Sequence, residues 1–440
     1  MITFASAAQL LPSRSSTARL SATLVAFALA LSVWIQPSAV LSRTSSDPVA
    51  VAFLGKRGIG GMRTFFFPRQ SPRDSNRYDT DPYQDWNVTM PRSRLDEIRE
   101  AGFDFIRLVI DPGPLLESEG EGIDKHLSKV KAAIESTLGA NLRVLVDIHV
   151  SANHPLWGFL RVTAGFDDPA FKRYLGVLAK FGTMLSAYEP TKVALELFNE
   201  PPPPCKWRDR PDWPDQLAVI YKVARAAAPK HTLFVSGSCW ASIEGLAGLD
   251  GSKFDDNSVF VFHYYEPFVF THQSFWAVAS MRFLEHLSRL SYPPDAVLVE
   301  EQLRAVKERV QSAPSLSASE RRLIIADATR YLHRYVANWK GKANIETDFE
   351  KVRQWTRRYG IPPGRILLGE FGVMRDAYGH KGADPGARFR WLSDVRQAAE
   401  SFGYSWAAWE LTGPMAITVE DSGGRLDTGV LGALGLKSRQ

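Results

Sequence analysis

The sequence predicts an α/β fold, specifically a (β/α)8 TIM barrel with a helical insertion between its sixth and seventh strands. The chain of 440 residues is 45% apolar and 11% aromatic, which is enough to bury a large core. Short runs of apolar and β-branched residues alternate with longer segments of helical periodicity, and eight such runs follow residue 50. This alternation is typical of parallel strands covered by helices, and eight strand–helix units close a barrel.

The eight apolar runs are the predicted barrel strands. They lie at residues 51–54, 103–110, 142–149, 192–198, 232–236, 259–263, 366–369 and 404–409. Helical patterns at 94–100, 124–138, 168–187 and 215–228 separate the early strands, and another at 387–401 precedes the eighth. Gly102, Gly139 and Pro229 follow three of these patterns, and glycine and proline commonly end helices. We therefore predict one barrel domain over residues 50–440.

One interval in the alternation is too long for a single connecting helix. His263 and Ile366 are separated by 102 residues, whereas a crossover with one helix needs about 20 to 30. We interpret the charged, helical sequence at about 277–359 as an insertion, with helices at 300–311 and 317–339. The second helix opens with a capping-box pattern, in which Ser317 precedes Glu320 by three residues. We expect the insertion to pack on the barrel wall and to form a rim at one end of the barrel.

The N-terminus has the pattern of a secretory signal. Arg14 and Arg19 precede a mostly apolar run at 20–35, and small residues follow near Ala39. The run is about 16 residues long, shorter than the roughly 20 that span a bilayer. We therefore predict a signal peptide over residues 1–42 and a secreted or periplasmic domain without stable membrane insertion, although the cleavage site and a retained anchor stay open.

Composition excludes several functional classes. Lys and Arg total 53 against 48 Asp and Glu, and no basic block appears, so nucleic acid is not an expected partner. Nine histidines show no H-E-x-x-H pattern, and no metal or cofactor is expected. The two cysteines, Cys205 and Cys239, exclude a disulfide scaffold; they either form one disulfide or do not pair. We expect a monomer.

Polar residues end several of the predicted strands, and in such barrels the active site lies at the carboxyl ends of the strands. These residues are Arg107, His149, Asn199, Glu200, His263, Tyr265, Glu370 and Trp409. Glu200 and Glu370 end two non-adjacent strands, so we expect their carboxyl groups to face each other across the mouth, as two-carboxylate glycoside hydrolysis requires. We expect Arg107 and Tyr265 to lower the pKa of Glu370, and apolar and aromatic neighbours to raise that of Glu200.

These residues carry a family resemblance. Asn199-Glu200-Pro201, followed by Gly369-Glu370-Phe371-Gly372, resembles glycoside hydrolase family 5, a cellulase-like family of clan A. Arg107, His149, His263, Tyr265 and Trp409 fall in the order of that family's other site residues.

The resemblance implies a role for each of these residues. Glu200 would be the acid and base, and Glu370 the nucleophile of a retaining mechanism. Asn199 would bind the sugar 2-hydroxyl, Arg107 and Tyr265 would hold Glu370, and Trp409 would lie under the reacting sugar. His149 and His263 would bind sugar hydroxyls or Glu200. A retaining pair implies carboxyl groups about 5 to 5.5 Å apart.

Tryptophans cluster in segments that follow the middle strands, on the predicted active face. Trp240 and Trp276, with Trp157, are our candidates for the cleft wall, because flat rings pack on the apolar faces of sugars. The predicted function is an endo-β-1,4-glucanase acting on a β-linked glucan. A β-mannanase, a β-1,3-glucanase and a β-glucosidase stay open within the family, and a non-catalytic carbohydrate-binding barrel is the rival from another class.

Overall fold

The computed structural model describes residues 51–437 except positions 54, 62, 84, 86–89, 152–153, 203–211, 276–278 and 421–422. The predicted signal at 1–42 lies outside this part of the chain. No helix in the described part is both long and apolar enough to cross a membrane.

Eight parallel strands close a barrel, as predicted, and two short antiparallel hairpins lie outside it. The strands in chain order are β1 Arg57–Ile59, β2 Gln70–Ser71, β3 Asp74–Tyr78, β4 Phe105–Ile110, β5 Arg143–Ile148, β6 Val193–Glu196, β7 Leu233–Ser236, β8 Ser258–His263, β9 Ile366–Glu370, β10 Ser405–Ala408, β11 Thr418–Glu420 and β12 Gly423–Leu426. Strand β1 pairs with β4, each strand from β4 to β10 pairs with the next, and β10 pairs with β1. The pairs β2–β3 and β11–β12 are the hairpins.

Helices connect the strands and cover the barrel. They are α1 Arg63–Phe66, α2 Arg92–Ala101, α3 Gly113–Glu117, α4 Glu121–Gly139, α5 Phe159–Val162, α6 Pro169–Leu185, α7 Trp213–Ala227, α8 Ser238–Ala241, α9 Ile243–Ala247, α10 Phe268–Thr271, α11 Ala296–Ser312, α12 Ala318–Asn338, α13 Lys342–Tyr359, α14 Pro385–Ser401 and α15 Thr428–Ala433. Short 3-10 turns lie at Gly251–Lys253, Ala279–His286 and Pro363–Arg365. Gly102 ends α2 with a φ of 107°, and the capping box of Ser317 and Glu320 begins α12.

The first predicted strand is wrong. Residues 51–54 precede the barrel, and β1 is the three-residue segment that follows at Arg57–Ile59. Phe53 instead fills the amino-terminal end of the barrel, where its ring lies 5.7 Å from that of Phe105 and 5.8 Å from that of Phe234. Its backbone N–H donates to Thr232 Oγ1 at 2.9 Å. Phe53 of this apolar run is therefore buried, but as a plug at the amino-terminal end of the barrel and not as part of a strand.

The insertion is shorter than predicted at its carboxyl end. Helix α13, which was included in it, belongs to the barrel wall: Phe349 packs on Phe262 of β8 with ring centroids 5.2 Å apart. Trp355 of the same helix donates from Nε1 to the Leu249 carbonyl at 3.0 Å. The insertion proper consists of the 3-10 turn at Ala279–His286 and the helices α11 and α12. We call the pair α11 and α12 the helical hairpin.

The base of the helical hairpin is fastened to the segment that follows β9. Arg289 donates its backbone N–H to Gly382 O and its Nη1 to Ala383 O, both at 3.1 Å. Tyr335 of α12 donates to Ser291 O at 2.6 Å. Because the segment after β9 leaves the carboxyl end of the barrel, the hairpin lies beside the face on which the strand-end residues converge.

Candidate active site

Arg107, near the middle of β4, is the centre of the polar cluster inside the barrel mouth. Its side chain is fully buried, and Nη1 lies 2.7 Å from Glu370 Oε1. Nε and Nη2 donate to the two oxygens of Glu196 at 2.7 and 2.9 Å. Nη2 also donates to Asn199 Oδ1 at 2.7 Å and lies 3.1 Å from Asp147 Oδ2. One guanidinium on β4 therefore fixes residues of β5, β6 and β9 and of the segment that follows β6.

The two predicted catalytic carboxylates lie on either side of His263. One oxygen of Glu200, one oxygen of Glu370 and a ring nitrogen of His263 all lie within 4.8 Å of one another. His263 Nδ1 is 2.8 Å from Glu200 Oε1 and 3.6 Å from Glu370 Oε2. Tyr265 donates its hydroxyl to Glu370 Oε2 at 2.9 Å. The Glu370 side chain is 4% exposed and that of Glu200 is 28% exposed, so Glu200 is the more accessible carboxylate.

The two carboxyl groups have different electrostatic surroundings. Burial raises the pKa of Glu200 to about 7. Burial also raises the pKa of Glu370, although His263 and Arg107 lower it. The expectation that Arg107 and Tyr265 hold the pKa of Glu370 below its ordinary value is thus wrong in net direction, because burial outweighs the charge of Arg107. Since Glu370 accepts from a guanidinium and a hydroxyl, whereas Glu200 contacts His263, the first proton binds at Glu200.

His149 and Asn199 form a fixed pair beside the carboxylates. Asn199 Oδ1 accepts from Arg107, so its amide nitrogen is the atom that lies 3.0 Å from His149 Nε2. An amide nitrogen can only donate, so Nε2 accepts and the proton of His149 lies on Nδ1, 2.9 Å from Asp147 Oδ2. Burial lowers the pKa of His149 to about 4, which agrees with an uncharged ring.

Trp409 lies next to this pair, at the end of β10. Its ring is nearly parallel to that of His149, with centroids 5.8 Å apart and planes at 17°. Phe66 of α1 packs edge-on against both rings, at 4.4 Å from His149 and 5.9 Å from Trp409. The flat ring of Trp409, held between His149 and Phe66, offers an apolar face that suits a sugar.

The three tryptophans that we considered for the cleft wall differ in what the structure says of them. Trp240 is 37% exposed, its ring meets that of Phe159 edge-on at 5.3 Å, and its backbone N–H donates to Pro201 O at 2.9 Å. It therefore lies beside the segment that follows Glu200. Trp157 is partly buried against the hydrophobic core, and Trp276 lies outside the described residues.

Cys239, next to Trp240, is disulfide-bonded. The other cysteine of the sequence, Cys205, lies at a position that the structure does not describe.

The sequence reasoning missed three residues of the cluster: Glu196, Asp147 as a partner of Arg107, and Phe66. Glu196 is fully buried within β6, and the signal that could have found it is an acidic residue inside an otherwise apolar strand. Burying a carboxylate is costly unless it is paired, so such a residue indicates a buried cation nearby. Phe66 lies in a run of three phenylalanines, which gives no comparable signal.

Residues 76–414 match a family model described as Cellulase (glycosyl hydrolase family 5). Endoglucanase C of Acetivibrio thermocellus is 24% identical over 341 residues, which cover 76% of this chain and 87% of the relative. Cellulose synthase subunit Z from Clostridioides difficile matches the structure with a TM-score of 0.59 and 23% identity, covering 87% of this chain and 99% of its own.

A second structural neighbour is Thermotoga maritima Cel5A in complex with cellobiose. It has a TM-score of 0.59 and 22% identity, and it covers 88% of this chain and 100% of its own. Its complex with mannotriose gives a TM-score of 0.58. At these identities the structural likenesses show the fold, and the family match spans most of the barrel. The chain therefore belongs to the cellulases of glycosyl hydrolase family 5 and is a glycoside hydrolase.

Proposed function

We propose that this chain is a retaining endo-β-1,4-glucanase, in which Glu200 is the general acid and base and Glu370 is the nucleophile. The observation that carries the proposal is the separation of the two carboxylates, whose nearest oxygens lie within 4.8 Å. Retaining enzymes have carboxyl groups about 5 to 5.5 Å apart, whereas inverting enzymes need about 6.5 to 9.5 Å to admit a water molecule.

The proposed reaction has two steps. In the first, Glu370 attacks the anomeric carbon, the glycosidic C–O bond breaks, and Glu200 transfers its proton to the leaving oxygen. In the second, Glu200 takes a proton from water, the water oxygen attacks the anomeric carbon, and the bond to Glu370 breaks. A pKa of about 7 at Glu200 suits both roles near neutral pH.

The neighbouring side chains support this assignment. Arg107 Nη1 and the Tyr265 hydroxyl donate to different oxygens of Glu370, so they orient the carboxylate and stabilise its charge. Asn199 uses one amide proton on His149 and has a second proton for a sugar hydroxyl. Hydrogen bonds to the 2-hydroxyl strengthen in the transition state, and they favour catalysis for that reason.

We further propose a β-1,4-glucan as the substrate and the extracellular or periplasmic space as the location, with residues 1–42 removed as a signal. Relatedness to an endoglucanase and a structural neighbour that binds cellobiose support the glucan. Mannan is the second candidate, since the same neighbour also has a mannotriose complex. The basic lead and apolar run of the N-terminus support export.

The experiment that tests the substrate is a panel of soluble polysaccharides assayed for new reducing ends: carboxymethyl cellulose, mixed-linkage glucan, mannan, xylan and laminarin. We expect the fastest release from the β-1,4-linked glucans, together with a steep early fall in viscosity that marks endo action. Fastest release from mannan or laminarin would replace the substrate, and release of glucose alone would indicate a β-glucosidase. Equally slow release of reducing ends by the wild type and Glu200→Gln would indicate a non-catalytic carbohydrate-binding barrel.

A further inference from the structure

Glu196 has no place in the two-step reaction, yet both oxygens of its fully buried carboxylate are bound by Arg107. Both of its oxygens accept from Arg107, Oε2 from Nε at 2.7 Å and Oε1 from Nη2 at 2.9 Å. This side-on fork fixes the guanidinium in a plane, because two parallel hydrogen bonds leave no rotation about Cδ–Nε. In that orientation Nη1 is the nitrogen that lies 2.7 Å from Glu370 Oε1.

The charges in the cluster indicate a second effect of Glu196. If Arg107 served only to keep Glu370 ionised, a single cation paired with a single carboxylate would do so best. Instead Arg107 contacts the carboxylates of Glu196, Asp147 and Glu370 together. The two additional carboxylates offset much of the positive charge, and Glu200, four residues after Glu196, lies within reach of all of these charges.

Resting on the function proposed above, we propose that Glu196 is a positioning residue: it aligns Arg107 on Glu370 and offsets the charge of Arg107 at Glu200. The strand geometry supports this role. Glu196 is the last residue of β6 and Glu200 follows four residues later, so the two lie on one connection, beside Arg107 of β4. Truncation of Glu196 would release the fork that orients the guanidinium.

The groups that set the charge around Glu200 come from five strands and the segments that follow them. They are Arg107, Asp147, His149, Glu196, Glu370, His263 and Tyr265, with Glu410 beyond β10 acting on Tyr265. Burial lowers the pKa of His149 and His263 to about 4, so both rings are uncharged at neutral pH. Asp147 and Glu196 each raise the pKa of Glu200, whereas Arg107 lowers it. Removing the charge of Glu196 therefore lowers the pKa of Glu200.

Two variants separate the geometric role from the electrostatic one. Glu196→Gln keeps the size and one accepting oxygen but removes the charge. For this variant we expect kcat on an aryl β-cellobioside to fall about tenfold, and the alkaline limb of the pH profile, which follows Glu200, to move down by about one pH unit. Glu196→Asp keeps the charge but shortens the fork. Here we expect a similar fall in kcat, an unchanged KM and an alkaline limb within about 0.3 units of the wild type.

Val193→Ala is the matched control, because Val193 is a fully buried apolar residue of the same strand. We expect Val193→Ala to lower the thermal stability without shifting the acidic or the alkaline limb of the pH profile. If Glu196→Gln gives a profile that overlays the wild type after correction for the folded fraction, Glu196 is merely structural and the inference is wrong. If Glu196→Gln fails to fold, Glu196→Asp decides. An unchanged kcat in Glu196→Asp then overturns the inference, whereas a lowered kcat with an unmoved alkaline limb supports it. Failure of the proposed function itself is distinct, since the wild type would then not hydrolyse the cellobioside.

Discussion

Glu200 occupies an uncommon backbone conformation for a residue with a side chain. Its φ is 42°, in the left-handed region that favours glycine. The conformation lies between β6 and Pro201, and the Pro201 carbonyl accepts from the backbone of Trp240. Residues held in such conformations are often functional, because the surrounding structure must maintain a strained geometry. At Glu200 that geometry turns the carboxylate toward His263 and into the mouth of the barrel.

The different roles of the two carboxylates predict different responses to truncation. Glu370→Ala removes the nucleophile, so we expect turnover to be lost and partly restored by azide, with a glycosyl azide of inverted configuration detected by NMR. Glu200→Ala removes the acid, so we expect hydrolysis of cellulosic substrates to fall about 10²- to 10⁴-fold and hydrolysis of activated aryl glycosides to fall far less.

Glu301→Ala, at an exposed position of α11, is the control and should retain wild-type rates. Equal losses on both substrate types for Glu200→Ala would contradict its role as the acid. A retained azide product from Glu370→Ala would contradict its role as the nucleophile, since attack without a covalent intermediate inverts the configuration.

At the residue scale, the sequence predicted which groups meet but not how deeply they are buried. Arg107, Asn199, Glu200 and Glu370 could be collected because the carboxyl ends of parallel strands meet at one face. The raised pKa of Glu370 could not be predicted, since it depends on desolvation, which follows from packing and not from the sequence around one residue.

At the scale of elements, the sequence did not determine where each element begins or ends, or to which part of the fold it belongs. Strand β1 has three residues, one of which is Gly58, so it is too short for a periodic signal, whereas the apolar run before it has the composition of a strand. Helix α13 has the same helical periodicity whether it belongs to the insertion or to the barrel wall. The contact of Phe349 with Phe262 decides between the two, and it joins residues 87 positions apart. Alternation of strands and helices gave the remaining barrel strands correctly to within a few residues.

The helical hairpin gives a prediction at this scale. Replacing residues 296–338 by a short Gly-Ser linker removes α11 and α12 but leaves Arg289, which binds the segment after β9. We add Phe283→Gln, because Phe283 stacks on Tyr331 of α12 at 4.8 Å and would otherwise be exposed. We expect kcat/KM on an aryl β-cellobioside to change by less than about twofold, whereas the ratio of rates on long and short glucans changes, because loops beside a cleft set its length.

Arg289→Ala in the full-length chain is the companion variant. It loosens the attachment of the hairpin without removing it, so we expect a smaller change in the same ratio. If the shortened chain loses aryl glycoside activity while its circular dichroism remains native, the hairpin forms part of the reacting subsite, and the interpretation of it as a rim is wrong.

The whole molecule divides into an active end and a structural end. All the catalytic candidates lie at the carboxyl ends of the strands, whereas the amino-terminal end is closed by an inner core. That core consists of Phe53, Phe105, Leu145, Ala194, Phe234, Val259, Val261, Leu367 and Ala407. Because activity and stability depend on opposite ends of the barrel, the loops at the active end can change without disturbing the packing at the other end. Residues 51–53 enter at the structural end, on the side away from the cleft.

Phe53 tests this division. It is 5% exposed and packs its ring on Phe105 and Phe234, so Phe53→Ala should cost about 3 to 5 kcal/mol of stability by leaving a cavity. We expect a melting temperature lower by several degrees in calorimetry, with kcat at 25 °C unchanged per folded molecule. Phe53→Leu, which conserves most of the volume, should cost less than about 1.5 kcal/mol. A fall in kcat that exceeds the loss of folded protein would show that the two ends are coupled, because strain at the plug would then reach Arg107 and Glu370 through the strands.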